Sequence, residues 1–560
     1  MSHSRWNLLP PVPDHHPLNN STFSPLIAQL LYNRGLADTI QSQTFLAADD
    51  RLSVDPHLLP DTHRAIARIF QALRSGENIA VYGDFDVDGI TATAILVQGL
   101  SALDGKVVPY IPHRLTEGYG LTVFALEKLH NQGISLVITV DCGITSTVEI
   151  KKAREMGLDI IVTDHHTPLP EIPPAVAVVN PKLAHSSHPL TDLSGSGVAF
   201  KLLQALLQSI DKETELFQFF DLVALGTIAD MSPLVGENRY LVNEGLKLIN
   251  AAPRLGIRAI ADQAGLKIGS LSAESVSWVI APCLNAAGRL AHALTSYNLL
   301  LTDSAQEAVE LARWLAEKNT ERQKLTTAAL ANAREQVLSQ EISPLLLVSD
   351  NDYHLGIAGL VASRLSEEFY RPSVVVKTGE KVSSGSCRSI PEFNIIAALT
   401  EFSHLMSHFG GHSQAAGFTL PTKNLADLER LLCHLAATQL DGIDLRPHLD
   451  IDVLVTLPEL GGETFQTTQG LAPFGRGNPL PTFLSRGVEV VNCRTMGSSA
   501  EHVRLKLKQD GTVWDGVGFR LGSHLAEVSS HLDIVYNLEI DRWDGRERLR
   551  LNLLDFTPAS

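Results

Sequence analysis

Three aspartates, Asp84, Asp86 and Asp88, lie within five positions of the stretch YGDFDVDGI (Tyr82–Ile90). Carboxylates this close together repel one another, and each is driven towards protonation unless cations or hydrogen-bond donors compensate. A calcium loop of the EF-hand type does not fit, because the twelfth position counted from Asp84 is Ile95 and not Glu. The stretch indicates either a metal-binding loop or a solvated acidic turn.

Other acidic and imidazole side chains follow apolar runs further along the chain. From Asn78 to about Thr163 apolar runs alternate with helix-like stretches, which is typical of a parallel sheet wound with helices. Ligands of such sheets bind beyond the carboxyl ends of the strands. Because the three-aspartate loop, Asp141 in VDCG and His165 in TDHHT each follow an apolar run, we expect them to converge on one rim.

The predicted metal ligands are four carboxylates and one imidazole: Asp86, Asp88, Asp141, His165 and Asp230. This hard donor set suits Mn2+ or Mg2+, whereas structural zinc would prefer thiolates. Four aspartates offset two divalent cations in formal charge, and a single cation would leave about two negative charges, so we predict two cations. Neighbouring side chains of an extended segment point apart, so His166 is predicted to face the substrate.

The composition limits the kind of partner. Lys and Arg number 45 against 62 Asp and Glu, a formal net charge of -17, so a sequence-blind basic coat for nucleic acid is excluded. A polyanionic substrate would have to be held by local patches and metals. The five cysteines form no C-x-x-C pair, no apolar run approaches the ~20 residues of a membrane span, and the N-terminus lacks a signal-peptide core. We therefore expect a cytoplasmic protein without membrane contact.

The predicted fold class is α/β, in several parts. Residues 305–343 contain no Gly or Pro and predict one connecting helix of about 50 Å, or else a pair of helices. From about Arg446 the chain reads as short alternating strands, which predict an all-β barrel or sandwich. The predicted boundaries are an N-terminal extension at 1–50, a parallel-sheet catalytic domain with a helical part at 51–304, the connecting helix at 305–343, a mixed α/β domain at 344–445 and the all-β domain at 446–560.

These motifs resemble those of the DHH phosphoesterase superfamily, which combines an acidic first motif, an isolated Asp after a strand, the Asp-His-His signature and a later Asp. Five further motifs make the chain similar, over nearly its whole length, to the RecJ family of single-strand-specific DNA exonucleases. They are PHRLTEGYGL (Pro112–Leu121), LNAAGRL (Leu284–Leu290), HLGIAGLVASRL (His354–Leu365), GGHSQAAGF (Gly410–Phe418) and PFGRGNPLPTF (Pro473–Phe483).

The resemblance implies a DHH catalytic domain, a DHHA1 domain that contacts substrate, and a C-terminal OB-like domain. It also implies metal-dependent cleavage of single-stranded DNA from the 5′ end, releasing nucleoside 5′-monophosphates, in recombination and repair. The implied partners are single-stranded DNA, a single-strand-binding protein and a DNA helicase, and the three-domain layout favours a monomer. Two positions depart from the family pattern: Tyr82 stands where some DHH enzymes have a metal-binding His, and Cys283 stands where an Arg is expected.

Catalytic roles are assigned to Asp84, Asp141 and His166. Two divalent ions about 3.5 to 4 Å apart would activate a bridging water for in-line attack at phosphorus, with Asp141 as the bridging carboxylate. His166 would donate to a non-bridging phosphoryl oxygen. Asp84 belongs to the same motif as Asp86 and is not counted among the five metal ligands.

Substrate-binding residues are predicted on three surfaces. Arg114 and Arg289 are suited to grip a terminal 5′-phosphate or the next linkage, unless they form structural ion pairs. Gly410 and Gly411, with His412 and Arg388, could cradle an anion, unless the glycines serve only the turn. In HVRLKLK the cations alternate with apolar residues and would line a strand face for the DNA backbone, unless that face is merely solvated; they are Arg504, Lys506 and Lys508, with Arg546, Arg548 and Arg550 repeating the pattern.

Two other functions stay open at this point. A DHH-type phosphodiesterase or pyrophosphatase, acting on short oligonucleotides, cyclic dinucleotides or pyrophosphate, would share the metal rim but would not need the basic strands. A DNA-binding scaffold with a dead metal site would require lost ligands. All five predicted ligands are present, which disfavours the scaffold.

Overall fold

The chain divides into two compact units in the computed structural model, which describes residues 4–114, 116–118, 120–185, 187–497, 500–541 and 547–559. The larger unit comprises Ala48–Ser366 and Arg371–Gln439, and the smaller comprises Met1–Ala47, Glu367–Tyr370 and Leu440–Ser560. Within the described ranges, no helix combines the length and the apolar character that crossing a membrane requires.

The larger unit begins with a five-stranded parallel sheet, the N-terminal sheet, as the alternating sequence predicted. Its strands in spatial order are Lys106–Tyr110, Asn78–Tyr82, Leu136–Val140, Asp159–Thr163 and Ala177–Val179. The middle strand Leu136–Val140 is buried at every position, as expected where helices cover both faces of a parallel sheet. All strands point the same way, so the loops after them meet at one edge.

Helices enclose this sheet and extend into a helical part. Apolar side chains such as Ile95, Leu203 and Leu225 form one core with the sheet, and the helices Val123–Asn131 and Thr147–Glu155 contribute to a second core cluster. A five-residue π-helix, Val276–Ile280, runs directly into the helix Ala281–Leu290. The helices are Thr62–Ser75, Val87–Ser101, Val123–Asn131, Thr147–Glu155, Gly195–Gln208, Phe220–Ala229, Gly236–Ala251, Leu255–Gln263, Ala273–Ser275, Ala281–Leu290 and Leu294–Leu301.

The next element is one continuous helix, Ala305–Leu338, called the long helix below. The alternative of two helices in this segment is therefore wrong. The N-terminus of the long helix is capped by Ser304, whose Oγ accepts from the backbone N–H of Glu307 at 3.3 Å. Its 34 residues span about 50 Å.

A mixed five-stranded sheet completes the larger unit and confirms the mixed α/β part of the fold class. The strands Leu346–Asp350 and Ser373–Lys377 pair in parallel, and the other neighbouring strands pair antiparallel. In spatial order the strands are His408–His412, Ala415–Pro421, Val382–Arg388, Ser373–Lys377 and Leu346–Asp350. The accompanying helices are Leu355–Phe369, Ile395–Glu401 and Leu425–Gln439.

The smaller unit is built on a β-barrel, which confirms the OB-like part of the fold class. The strand Phe483–Met496 pairs with His502–Gln509 on one side and with His531–Asp541 on the other, so the sheet closes on itself. The remaining strands are Val453–Leu454, Thr512–Gly518 and Arg548–Pro558, and a helix spans Gly462–Gln469.

The N-terminal residues belong to this smaller unit. The strand Arg5–Leu8 pairs in parallel with His448–Ile451, and the indole N–H of Trp6 donates to Asp555 at 2.9 Å. The helices Pro25–Asn33 and Thr39–Ala47 contribute apolar side chains that pack with Leu471. The residue boundaries given for the five parts of the chain stay predictions.

Candidate metal centre

The carboxyl edge of the N-terminal sheet gathers the predicted metal ligands. Their donor atoms form three overlapping groups, each with all atoms within 4.8 Å of one another; the groups are Asp84, Asp86 and Asp141; Asp88, His165 and Asp230; and Asp141, His165 and His166. Asp141 belongs to two of the groups, which agrees with a bridging position. Asp84, which is not one of the five predicted ligands, groups with Asp86 and Asp141. His166 groups with Asp141 and His165. The individual roles stay predictions.

The backbone of Asp141 adopts a conformation that is uncommon for a residue with a side chain. This aspartate follows the buried strand Leu136–Val140 with φ at 59°, in the left-handed region. Such conformations cost free energy and are concentrated at functional sites. A Cβ on Gly195 would lie only 2.6 Å from Oδ1 of Asp141, so the neighbouring helix can approach this carboxylate only because position 195 is glycine.

Asp88 is held by the N-terminus of the helix Gly195–Gln208. Its Oδ2 accepts from the backbone N–H of Gly195 at 2.6 Å, and its Oδ1 accepts from that of Ser196 at 2.9 Å. Backbone donors at a helix N-terminus stabilise a carboxylate in this position. The sequence interpretation did not include this contact, although Ser-Gly-Ser-Gly before an apolar helical run is a recognisable start of a helix.

The first acidic motif is anchored by its own helix and by a distant asparagine. Asp86 caps the helix Val87–Ser101, since its Oδ1 accepts from the N–H of Gly89 at 3.1 Å. Oδ1 of Asn285 accepts from the N–H of Val87 at 3.1 Å. Asn285 lies in the motif LNAAGRL, which was noted in the sequence without a role for this side chain. The contact fixes the helix Ala281–Leu290 against the acidic loop.

The electrostatics of the rim indicate missing positive charge. Burial raises the pKa of Asp84 to about 8, and the neighbouring Asp86 contributes to this rise. Burial likewise raises the pKa values of Asp88 and Asp141, again with help from neighbouring carboxylates. Removing carboxylates from water without compensation is costly, so the ionised rim needs bound cations.

Unpaired donor atoms show where such cations would fit. Nε2 of His165 lies 3.1 Å from Oδ1 of Asp141, yet neither atom has a hydrogen-bond partner among the described residues. Oδ1 of Asp84 is also buried without a partner there. Carboxylate oxygens with one imidazole nitrogen are donors that Mn2+ and Mg2+ accept, so the residues present fit a divalent metal centre.

His166 is oriented by Asp164, a positioning residue that the sequence interpretation did not assign. Oδ1 of Asp164 accepts from the backbone N–H of His165 at 2.7 Å and from Nδ1 of His166 at 2.8 Å. Burial opposes both charges, but the hydrogen bond and the attraction between the two groups outweigh it, so the pKa of Asp164 falls to about 2 and that of His166 rises to about 9. The pair therefore favours the cationic form of His166, and 43% of the His166 side chain is exposed towards solvent.

Three predicted phosphate-binding arginines come together beside the acidic rim. Arg289 is partly buried, and desolvation with the charges of Arg114, Arg322 and Arg388 lowers its pKa to about 9. The guanidinium of Arg114 lies 4.8 Å from the ring centre of Phe85 and is attracted by the carboxylates of the first motif. In the part of the chain that the structure describes, none of these three arginines has an ion pair with a carboxylate within 4.0 Å. The structural ion pairs that the sequence left open are therefore not found there.

The glycine-rich motif lies at the edge of the mixed sheet. Gly410, Gly411 and His412 belong to the edge strand His408–His412. Gly411 has φ at 142°, and a Cβ there would collide with Ala416. The backbone at this position therefore requires glycine, whatever its role in binding. The substrate-binding role of the three residues stays a prediction.

The basic strands of the barrel are less basic than the sequence suggested. Val503, Leu505 and Leu507 are buried, so the alternating cations do face outwards. Arg504 lies 3.6 Å from Asp515 and Lys508 lies 3.0 Å from Glu489, whereas Lys506 is exposed without an ion pair among the described residues. In the second strand Arg550 pairs with Glu539 and Asp541, and Arg546 lies outside the described residues. DNA binding by these strands stays a prediction.

The two departures from the family pattern have distinct surroundings. Tyr82 is fully buried in its strand, stacks on Tyr110 with ring centres 5.1 Å apart, and donates its hydroxyl to the carbonyl of Gly120 at 2.9 Å. It therefore supports the sheet. Cys283 is buried in the helix that contacts the long helix, and the charge that acts on its thiol is that of Arg322.

A parallel sheet with this acidic and imidazole rim, followed by a mixed sheet and an OB-like barrel, defines a DHH phosphoesterase with an added nucleic-acid-binding fold. Family models agree part by part: the DHH family N-terminal domain matches residues 78–227, the DHHA1 domain 335–438 and the RecJ OB domain 451–555.

Individual relatives of known name identify the family within the DHH phosphoesterases. The single-stranded-DNA-specific exonuclease RecJ of Bacillus subtilis (strain 168) is 36% identical, with 99% of this chain and 71% of that protein covered. The RecJ of Escherichia coli (strain K12) is 31% identical, with coverage of 95% and 96%. The crystal structure of RecJ in complex with Mn2+ from Thermus thermophilus is 32% identical, has a TM-score of 0.85, and is matched over 100% of this chain and 80% of that one.

The chain belongs to the RecJ family of single-stranded-DNA-specific exonucleases. The predicted family, fold class and exonuclease function are thereby confirmed, and the phosphodiesterase or pyrophosphatase alternative is set aside. Solved Thermus relatives hold Mn2+ in one structure and Mg2+ in another, which are the cations predicted here from the donor set.

Proposed function

We propose that this protein degrades single-stranded DNA from the 5′ end to nucleoside 5′-monophosphates, using two divalent cations, Mn2+ or Mg2+, bound by Asp86, Asp88, Asp141, His165 and Asp230. The feature that supports it most directly is the position of Arg114, Arg289 and Arg388 beside the acidic rim. Arginines bind phosphate with two parallel hydrogen bonds, so a phosphate held there would place the strand next to the cations.

When bound, the cations would supply Lewis acidity and would lower the pKa of the attacking water, so that it loses a proton near neutral pH. Asp141 belongs to two of the three donor groups and would serve as the shared ligand, and Asp84 completes the group with Asp86 and Asp141. His166, kept cationic by Asp164, donates to a non-bridging phosphoryl oxygen as negative charge develops there.

The remaining predicted contacts hold the strand away from the reacting phosphate. Gly410, Gly411 and His412 present an edge strand, and Arg504, Lys506 and Lys508 present an outward strand face. The protein works in DNA recombination and repair as a cytoplasmic monomer, with a single-strand-binding protein and a DNA helicase as partners.

The test follows one DNA strand labelled separately at each end and incubated with Mn2+ or Mg2+. Mononucleotides should appear at once from the 5′ label, while the 3′-labelled strand shortens progressively. A strand that shortens from its 3′ end, or internal fragments, would contradict the polarity. Arg289→Ala should lower the preference for a 5′-phosphate over a 5′-hydroxyl by about tenfold, and Arg289→Lys should lower it less. An unchanged preference would remove Arg289 from that role.

A further inference from the structure

A fourth arginine, Arg322 of the long helix, belongs to the same basic cluster and has no assigned role. Its Nε is buried without a hydrogen-bond partner among the described residues, and Nε of Arg289 is in the same state. Its charge acts on Arg289. Arginine keeps its proton near neutral pH, so the cluster carries four positive charges there.

The surroundings of Arg322 do not compensate this charge. The titratable groups that act on it are the thiol of Cys283 and the guanidinium of Arg364. Burial raises the pKa of the Cys283 thiol to about 11, so the thiol stays neutral. The carboxylates that oppose the cluster, Asp84 and Asp86, belong to the metal rim. Once cations offset those carboxylates, the arginines need another anion.

A second polar group on the same face of the long helix is also unsatisfied. Oδ1 of Asn319 is buried without a partner in the described part of the chain. Residues three apart share one face of a helix, so Asn319 and Arg322 lie next to each other. Rotating the amide by 180° would present its NH2 group to the same space. Two adjacent unpaired groups that can donate are suited to a phosphate oxygen.

We propose that Arg322, with Asn319, binds a backbone phosphate of the DNA strand, separate from the phosphate held by Arg114, Arg289 and Arg388. This second subsite rests on the proposed exonuclease function. Arg322 stands on the long helix, and the carboxylates of the acidic rim are not among the groups that act on it, so the subsite is set apart from the metal centre. It therefore takes a different linkage of the strand from the one being cleaved.

The test measures binding of full-length protein to a single-stranded oligonucleotide by fluorescence anisotropy, with a chelator present so that the strand stays intact. Arg322→Gln should bind about tenfold more weakly, Arg322→Lys should bind with intermediate affinity, and the slope of log affinity against log salt should become shallower by about 0.7 in Arg322→Gln. The control is Lys318→Gln, one turn away, because Lys318 already pairs with Glu321 at 2.7 Å. Its salt slope should stay that of the unmodified protein.

A strand with one neutral methylphosphonate linkage locates the contact. Moving this linkage along the strand should reveal one internal position at which the modification weakens binding by the unmodified protein but not by Arg322→Gln. Equal weakening at every position, or loss of the 5′-phosphate preference in Arg322→Gln, would overturn the subsite. If the unmodified protein degrades DNA from the 5′ end and Arg322→Gln binds the strand as tightly as it does, only the subsite is overturned. If the unmodified protein does not degrade the strand, the proposed function is overturned. Equal melting temperatures of the variants exclude a folding defect.

Discussion

Nδ1 of His166 donates to Oδ1 of Asp164 at 2.8 Å, and the same carboxylate oxygen accepts from the backbone N–H of His166 at 3.0 Å. The ring and the backbone of His166 are thus fixed by one buried acid. Asp164 therefore orients the ring of His166 and favours its cationic form.

Asp164→Asn should lower kcat about 10- to 100-fold, because the ring loses its orienting carboxylate. It should also shift the alkaline limb of the rate profile to lower pH. The hydrogen bond to Asp164 raises the pKa of His166 to about 9, so the cation persists up to that pH in the unmodified protein and is lost earlier without the carboxylate. Rate profiles from about pH 6 to 10 check this. An alkaline limb that does not move would contradict the role of Asp164.

Gly195→Ala should lower activity about 100-fold, because its Cβ would lie 2.6 Å from Oδ1 of Asp141 and would displace that carboxylate. The control is Gly462→Ala in the barrel unit, where an added Cβ meets nothing within 4 Å. Comparing kcat and melting temperature of both variants separates a local from a global effect. Full activity in Gly195→Ala would show that Asp141 does not need this close packing.

Lys201→Met should lower the free energy of unfolding by about 3 to 5 kcal/mol, because it leaves Glu237 buried without its partner. Nζ of Lys201 lies 2.7 Å from Oε1 of Glu237, and both side chains are almost fully inaccessible. Replacing both residues by methionine should recover part of the loss.

The matched control is Lys247→Met, whose pair with Glu244 at 2.6 Å is exposed and should contribute about 0 to 1 kcal/mol. Denaturant unfolding measures each free energy. Equal losses in the two single variants would contradict the assignment of a buried pair.

Mn2+ should stabilise the protein, because the carboxylates of the rim repel one another without it. At a Mn2+ concentration about a hundredfold above its dissociation constant, linkage predicts about 2.7 kcal/mol, which a chelator should remove. Asp141→Asn should reduce the gain, since Asp141 belongs to two donor groups. An equal melting temperature with and without Mn2+ would contradict the metal centre.

The sequence could predict that the loops carrying Asp84 to Asp88, Asp141 and His165 meet, because each loop follows an apolar strand and parallel strands end at one edge. Asp230 follows the helix Phe220–Ala229 instead, so this rule does not place it. Asp84, Asp141 and His165 were brought together by that rule alone. Tyr82 occupies a position where the family resemblance implies a metal-binding His in some members, but alternation along the strand turns its side chain towards Tyr110 and Gly120.

Contacts between distant parts of the chain could not be predicted. Gly195 donates to Asp88 across 107 positions, and Asn285 accepts from Val87 across 198. Periodicity reports which face of an element is buried, but not which distant element covers it. For the same reason the sequence could not reveal that Trp6 donates a hydrogen bond to Asp555 within the barrel unit. The ion pairs of Arg504 with Asp515 and of Lys508 with Glu489 likewise depend on strand register.

The central claim, that this rim holds two divalent cations, is tested most directly by anomalous scattering from crystals soaked in Mn2+. We predict two peaks, one among Asp84, Asp86 and Asp141 and the other among Asp88, His165 and Asp230, and we expect Asp141→Asn to weaken at least one of them. A single peak, or none within reach of these side chains, would contradict the claim.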